Sequence, residues 1–215
     1  MTIRSHPSEA TLLAYATGTL APGASLVLAA HLSLCKDCHH PLATWETAAG
    51  ALLDSMPESE IASDAFERTM ALARAVPSGD AQPKHVARSG LPGVELPSAI
   101  LAAGIAKRRW LAPGIWSAAI PSVSRAQAKT YILRLGPNRK VPLHGHSAAE
   151  TICILKGSFL DAGGRYQAGD FIETDEAIDH QPVAGGDGDC ICIIATEGPL
   201  RIRGFLGWLL SPFAG

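Results

Sequence analysis

His31-Leu32-Ser33-Leu34-Cys35-Lys36-Asp37-Cys38 sets three metal-type ligands within eight residues. On a helix His31 and Cys35 stand at i and i+4 on one face. Cys38, three residues further on, can close on the same ion. A structural zinc ion wants a fourth nitrogen or thiolate ligand in a tetrahedral shell, and His6 is the upstream candidate, returned by folding one helix back. The result is a predicted His2Cys2 site that ties three segments together. The bland alternative is a disulfide or two ordinary thiols. HxxxCxxC with an upstream His is a more specific signal than a bare CxxC.

Working outward, His6-Pro7-Ser8-Glu9 has the form of a helix start, with Ser8 as cap before Leu12, Leu13 and Tyr15, and Gly18 as stop. A second helix is expected from about Ala24 to Leu34, and a third from near the CxxC, carrying Pro41, Leu42, Trp45 and Leu52. Thiolates at the start of that third helix gain from its positive dipole end, which favours metal capture at neutral pH. Beyond Glu58, the residues Ile61, Phe66, Met70, Leu72 and Ala73 recur on one side, which predicts a fourth, amphipathic helix. Its apolar stripe suits either the chain's own core or another protein.

The totals bound these readings. At 215 residues two domains of about 100 residues are natural, and 47% apolar residues are ample for two cores. Five cysteines make no even disulfide framework, and no basic and apolar N-terminal segment resembles a signal peptide. The expected location is therefore the reducing cytoplasm. The uncharged apolar run from Gly204 to Gly215 is too short to cross a bilayer. Residues 1–78 carry four Lys and Arg against eight Asp and Glu. That acidic balance disfavours direct DNA binding and suits a basic protein partner.

The stretch from Pro77 to Pro97 has little periodicity and reads as a linker, with His85 solvated in it. Beyond it, apolar or alternating runs at 106–112, 115–120, 129–135, 151–157, 165–174, 189–196 and 201–210 are separated by Gly and Pro turns. Short strands at this spacing predict a barrel or jelly roll. The expected organisation is α + β in two domains: a helical zinc-stapled unit over 1–78, a linker over 79–97 and a β-barrel over 98–215.

A second ligand set lies in the barrel. His144 and His146, two apart at a strand edge, share a face, Glu150 follows four residues later, and His180 comes from a later strand. Three imidazoles and a carboxylate suit zinc, iron, manganese, nickel or copper. Residues 136–180 resemble the two metal motifs of a cupin, with Asp175 and Ala177 where cupins usually carry Pro and Gly. Both halves together resemble the ChrR-type zinc anti-sigma factors, a zinc anti-sigma domain fused to a cupin-like domain. The resemblance implies zinc on His6, His31, Cys35 and Cys38, and Zn2+ or another divalent transition metal on His144, His146, Glu150 and His180. It also implies a 1:1 complex with an extracytoplasmic-function (ECF, group IV) sigma factor, released by singlet oxygen or organic hydroperoxide, with no catalysis.

The remaining cysteines read first as small barrel-lining hydrophobes: Cys190 and Cys192 share one strand face. Their alternative role, with Cys153, is as candidate redox residues. Trp110, Trp116 and Trp208 read as core. The competing function is a metal-dependent cupin dioxygenase or isomerase, which needs polar groups around the metal; Tyr131 and Glu173 are the nearest acid-base candidates in the strand pattern.

Overall fold

The computed structural model describes residues 2–75 and 94–202. The Ser8 hydroxyl caps α1 (Glu9–Ala16) by accepting the Thr11 N–H at 3.3 Å. α2 (Pro22–Leu32) opens on Pro22, whose fixed φ suits a first helical turn. Its sequence is apolar on nearly every side, so it needs cover all round. It has that cover: Val27, Leu28 and Ala30 expose nothing. α3 (His39–Asp54) begins one residue past Cys38 and packs against α1. α4 (Ala65–Ala75) follows, without a single buried residue.

A short α5 (Ser98–Ala103) leads into the strands. These are β1 (Arg109–Ala112), β2 (Ile115–Ala119), β3 (Lys129–Leu135), β4 (His144–His146), β5 (Glu150–Lys156), β6 (Ser158–Asp161), β7 (Gly164–Gln167), β8 (Phe171–Thr174), β9 (Val183–Ala184), β10 (Cys190–Thr196) and β11 (Leu200–Ile202). A six-stranded sheet in the order β1-β2-β3-β10-β5-β8 is opposed by the smaller sheets β7-β6-β9 and β11-β4, and the pairs of all three are antiparallel. The run predicted at 165–174 is broken into β7 and β8. Of the run predicted at 201–210, residues 203–210 lie outside the described residues, as do His85, Trp208 and most of the expected linker.

Every residue of β10 is buried, because the large sheet is covered on both faces. Cys190, Cys192 and Ile194 face the barrel interior with Leu133, Leu135, Ile152, Ile154 and Ile172. The alternate residues Ile191, Ile193 and Ala195 face the other way, with Ile132, Cys153 and Phe171, and join Val27, Leu28 and Ala30 of α2 in one cluster. A strand buried on both faces loses the polar half of its alternation. Gly23 allows the closest approach: a Cβ there would collide with Thr130 and press on Ala195. The helical half and the barrel therefore meet over a shared hydrophobic cluster, and the large sheet is the wall between them.

One core expectation is corrected. Trp110 is 68% exposed, whereas Trp116 is buried at 5%. β1 is an edge strand with all four residues exposed, lying outside the cover that buries its neighbours.

Candidate metal centres

The HxxxCxxC stretch folds as its spacing predicts. His31 sits in the last turn of α2, Cys35 follows that helix, and Cys38 is the cap of α3. His6 returns on the segment ahead of α1, and its Nδ1 lies 3.5 Å from Cys35 Sγ and 3.3 Å from Cys38 Sγ. His31 Nε2 lies 3.3 Å from Cys38 Sγ. All four ligand atoms fall within 4.8 Å of one another. With zinc bonds of about 2.0 Å to nitrogen and about 2.3 Å to sulfur, the edges of a tetrahedral shell are about 3.3–3.8 Å. The donor set thus fits a small tetrahedral dication.

Electrostatics agree. Without a cation, burial first, and then the hydrogen bond with Cys35 and its charge, push the Cys38 thiol up to about 12. Two neighbouring thiolates need a counter-ion. Burial pulls the His31 pKa down, favouring a neutral imidazole, and its Nδ1–H donates to the Gly169 carbonyl at 2.7 Å. That leaves the Nε2 lone pair free to face an ion, the arrangement in which an outer hydrogen bond fixes tautomer and ring orientation. His39 and His40 stay out of the set, and His39 Nε2–H donates to the Leu32 carbonyl at 2.9 Å, closing the end of α2.

In the barrel, β4 carries His144 and His146, β5 opens with Glu150, and His180 pairs with His144 in an isolated bridge. None of the four is more than 5% exposed. His180 Nε2 lies 3.1 Å from both His144 Nε2 and His146 Nε2. Glu150 Oε2 lies 3.3 Å from His146 Nε2 and 3.5 Å from His180 Nε2. His144 Nδ1–H donates to the Pro142 carbonyl at 2.8 Å, and His180 Nδ1–H points at Asp161 Oδ2 at 3.4 Å. With those protons outside, the Nε2 lone pairs of His144 and His180 face each other, and buried Glu150 Oε2 has no hydrogen-bond donor. A cation at the centre resolves both conflicts, so these residues also fit a metal.

Burial lowers the pKa of His144 and His146, despite the opposing charge of Glu150. For His180 burial also pulls downward, but Glu150 and Asp161 outweigh it and the pKa is raised. Tyr131 lies on the same interior face, where burial, then Glu150 and Cys192, push its phenol well above the usual range. Glu173 does not join them. Register places it on the outer face, where it accepts the Ser8 N–H at 3.0 Å and the Thr11 hydroxyl. Cys190 and Cys192 are buried in the interior wall, and the hydrogen bond with Cys190, followed by burial, drives the Cys192 thiol well above its usual range. Such a thiol is a poor nucleophile.

The sequence reading missed the groups behind the ligands: the carbonyls of Gly169 and Pro142, and Asp161. Backbone carbonyls leave no residue-type signal. Asp161, nineteen residues before His180, is placed there only by the barrel.

A helical His2Cys2 unit sharing a core with a cupin-like barrel, itself carrying a His3Glu set, defines the class of protein. Residues 101–200 match the family model of the ChrR cupin-like domain. The chain is 35% identical over 224 residues to the anti-sigma-E factor ChrR of Cereibacter sphaeroides, with 99% of each covered. It is similar to a chain in the crystal structure of Rhodobacter sphaeroides SigE in complex with the anti-sigma ChrR, at 31% identity and a TM-score of 0.74, covering 91% of this chain and 100% of that one. An RmlC-like cupin protein from Ralstonia eutropha JMP134 aligns at 13% identity and a TM-score of 0.42, over 48% of this chain and 68% of that chain. This chain belongs to the ChrR family of anti-sigma factors. The curated relative is an anti-sigma factor, a regulatory binding protein rather than an enzyme. Among the described residues, no helix is long and apolar enough to cross a membrane.

Proposed function

We propose that this chain sequesters an ECF-type sigma factor in a 1:1 complex in the cytoplasm, through its N-terminal helical domain (residues 1–78), and so represses transcription without touching DNA. The observation that carries the reading is likeness to the anti-sigma-E factor ChrR across both halves, over 99% of the chain. α4 supports it: Phe66 and Leu72 are 71% and 69% exposed, and Leu52, Leu53, Met56 and Ile61 on and after α3 are also open. An apolar surface on a unit with four excess acidic charges complements a partner with apolar grooves and a basic DNA-facing surface.

In this reading His6, His31, Cys35 and Cys38 hold a structural Zn2+. His144, His146, Glu150 and His180 hold Zn2+ or another divalent transition metal in the cupin half (98–215), joined through the linker 79–97. A bound dication neutralises the converging donors and orders the segments that carry them. An oxidative signal, singlet oxygen or organic hydroperoxide, acts through the cupin half and changes how the barrel packs on α2, lowering the population of the bound state. Cys190 and Cys192 serve as wall residues; oxidation there is the candidate alternative route. The test is co-expression with the sigma factors of the same genome. A stable 1:1 complex that dissociates under either oxidant supports the reading, and failure to copurify any of them defeats it.

A further inference from the structure

His6 is the one ligand of the N-terminal centre outside the α2–α3 connection, and it sits on an extended segment with no helix or strand of its own. What holds that segment comes from the barrel. Asp170 Oδ1 accepts the backbone N–H of Arg4 at 2.8 Å and of Ser5 at 3.1 Å. Its Oδ2 accepts the Gln167 N–H at 2.7 Å, which fixes the carboxylate, and the residue is only 1% exposed. The Phe171 N–H donates to the Ser5 carbonyl at 2.9 Å, and Gln167 Nε2–H to the Thr2 carbonyl at 2.6 Å. Next to Asp170, Gly169 takes the His31 Nδ1–H. Gly169 has φ +93°, a conformation costly for any residue with a Cβ, and the side chain of Ile3 fills the space a Cβ would need.

We propose that Asp170, a barrel residue, is a positioning residue for the N-terminal metal centre: it holds the backbone of Arg4 and Ser5, the two residues ahead of His6, while the adjoining Gly169 carbonyl holds His31. The proposal rests on the metal reading of that centre. A charged acceptor for backbone N–H groups is stronger than a neutral one, and outer partners of metal ligands typically change affinity 10–100-fold. The cupin half thereby sets the retention of the ion that orders the helical half.

The test uses the full chain loaded with Co2+, whose thiolate charge-transfer absorption reports the His/Cys centre and not the thiolate-free barrel centre. Release to excess chelator is followed at that band. Asp170→Ala should accelerate release about tenfold or more; Asp170→Asn, which keeps one acceptor oxygen, should recover part of the loss. Arg4→Pro removes one donor from the exposed segment and leaves the buried carboxylate in place. It should accelerate release about threefold, and it decides the matter if Asp170→Ala fails to fold. Wild-type release rates in the folded variants overturn the proposal. Absence of a thiolate band in the wild type overturns the metal reading instead, and this proposal with it.

Discussion

Cys38 and Cys153 are both buried thiols driven to about 12, Cys38 by burial and Cys35, Cys153 by burial and then by the charge of Asp170. Their settings differ, because only Cys38 stands in a cluster of candidate metal ligands. In the proposed zinc centre the metal would replace the Cys38 proton, so Cys35→Ser or Cys38→Ser should release the ion and loosen residues 1–78. Comparable zinc sites contribute on the order of 10 kcal/mol to folding. Metal analysis and partner pull-down check this; a Cys35→Ser protein that keeps its ion and its partner refutes it. For Cys153 the sign is set by linkage. A thiol whose folded pKa is raised stays protonated in the native state, while the unfolded chain ionises above about 9. Stability is then intact below that pH and falls as pH rises towards 12, by about 1.4 kcal/mol per pH unit. Urea titrations from pH 8 to 11 should show a shallower decline for Cys153→Ala than for wild type; parallel curves would count against a native-state thiol.

α2 and α4 show why helices of the same length meet different fates. α2 is apolar on nearly every side and sandwiched, whereas α4 has one apolar stripe and, among the described residues, nothing that buries it. Phe66→Asp and Leu72→Asp should therefore change folding stability by no more than about 0.5 kcal/mol, the usual range for surface sites. They should weaken the sigma-factor complex tenfold or more. Matched melting curves with unchanged binding would show that another surface makes the contact. Among the strands, β5 and β8 join the two centres: Glu150 pairs with Thr174, while Phe171 of β8 turns its ring to His31 at 5.5 Å. Substituting His144, His146, Glu150 or His180 by Ala should leave the resting complex intact and blunt its release by singlet oxygen or organic hydroperoxide. Release like that of wild type from all four would shift attention to Cys190 and Cys192.

The large sheet serves two cores at once, and that is a property of the whole molecule. Removing the barrel uncovers Val27, Leu28 and Ala30 and deletes the Gly169 carbonyl behind His31. A fragment of residues 1–85 should accordingly still bind zinc and the sigma factor, because all four ligands and α4 lie within it. It should lose zinc to chelator faster than the full chain and fail to release its partner under oxidants. Equal zinc retention would mean that the barrel adds nothing to the first centre.

All eight candidate ligands were legible in the residue string, because ligand chemistry needs particular side chains and local geometry needs particular spacings: HxxxC on one helical face, HxH on one strand face. Helix starts and strand runs were legible for the same local reasons, as with Ser8 before α1 and the continuous apolar β10. The string does not say which surface covers which. Glu173 reads as a neighbour of the metal until register turns it outward, and Trp110 reads as core until β1 proves to be an edge. Gly169 and Asp170 carry no motif, yet they meet His31 and the His6 segment across 138 and 165 residues of chain. Spacing along a chain constrains only what a helix or strand period brings together; contacts across such distances exist only once the sheet has closed and α2 has packed upon it.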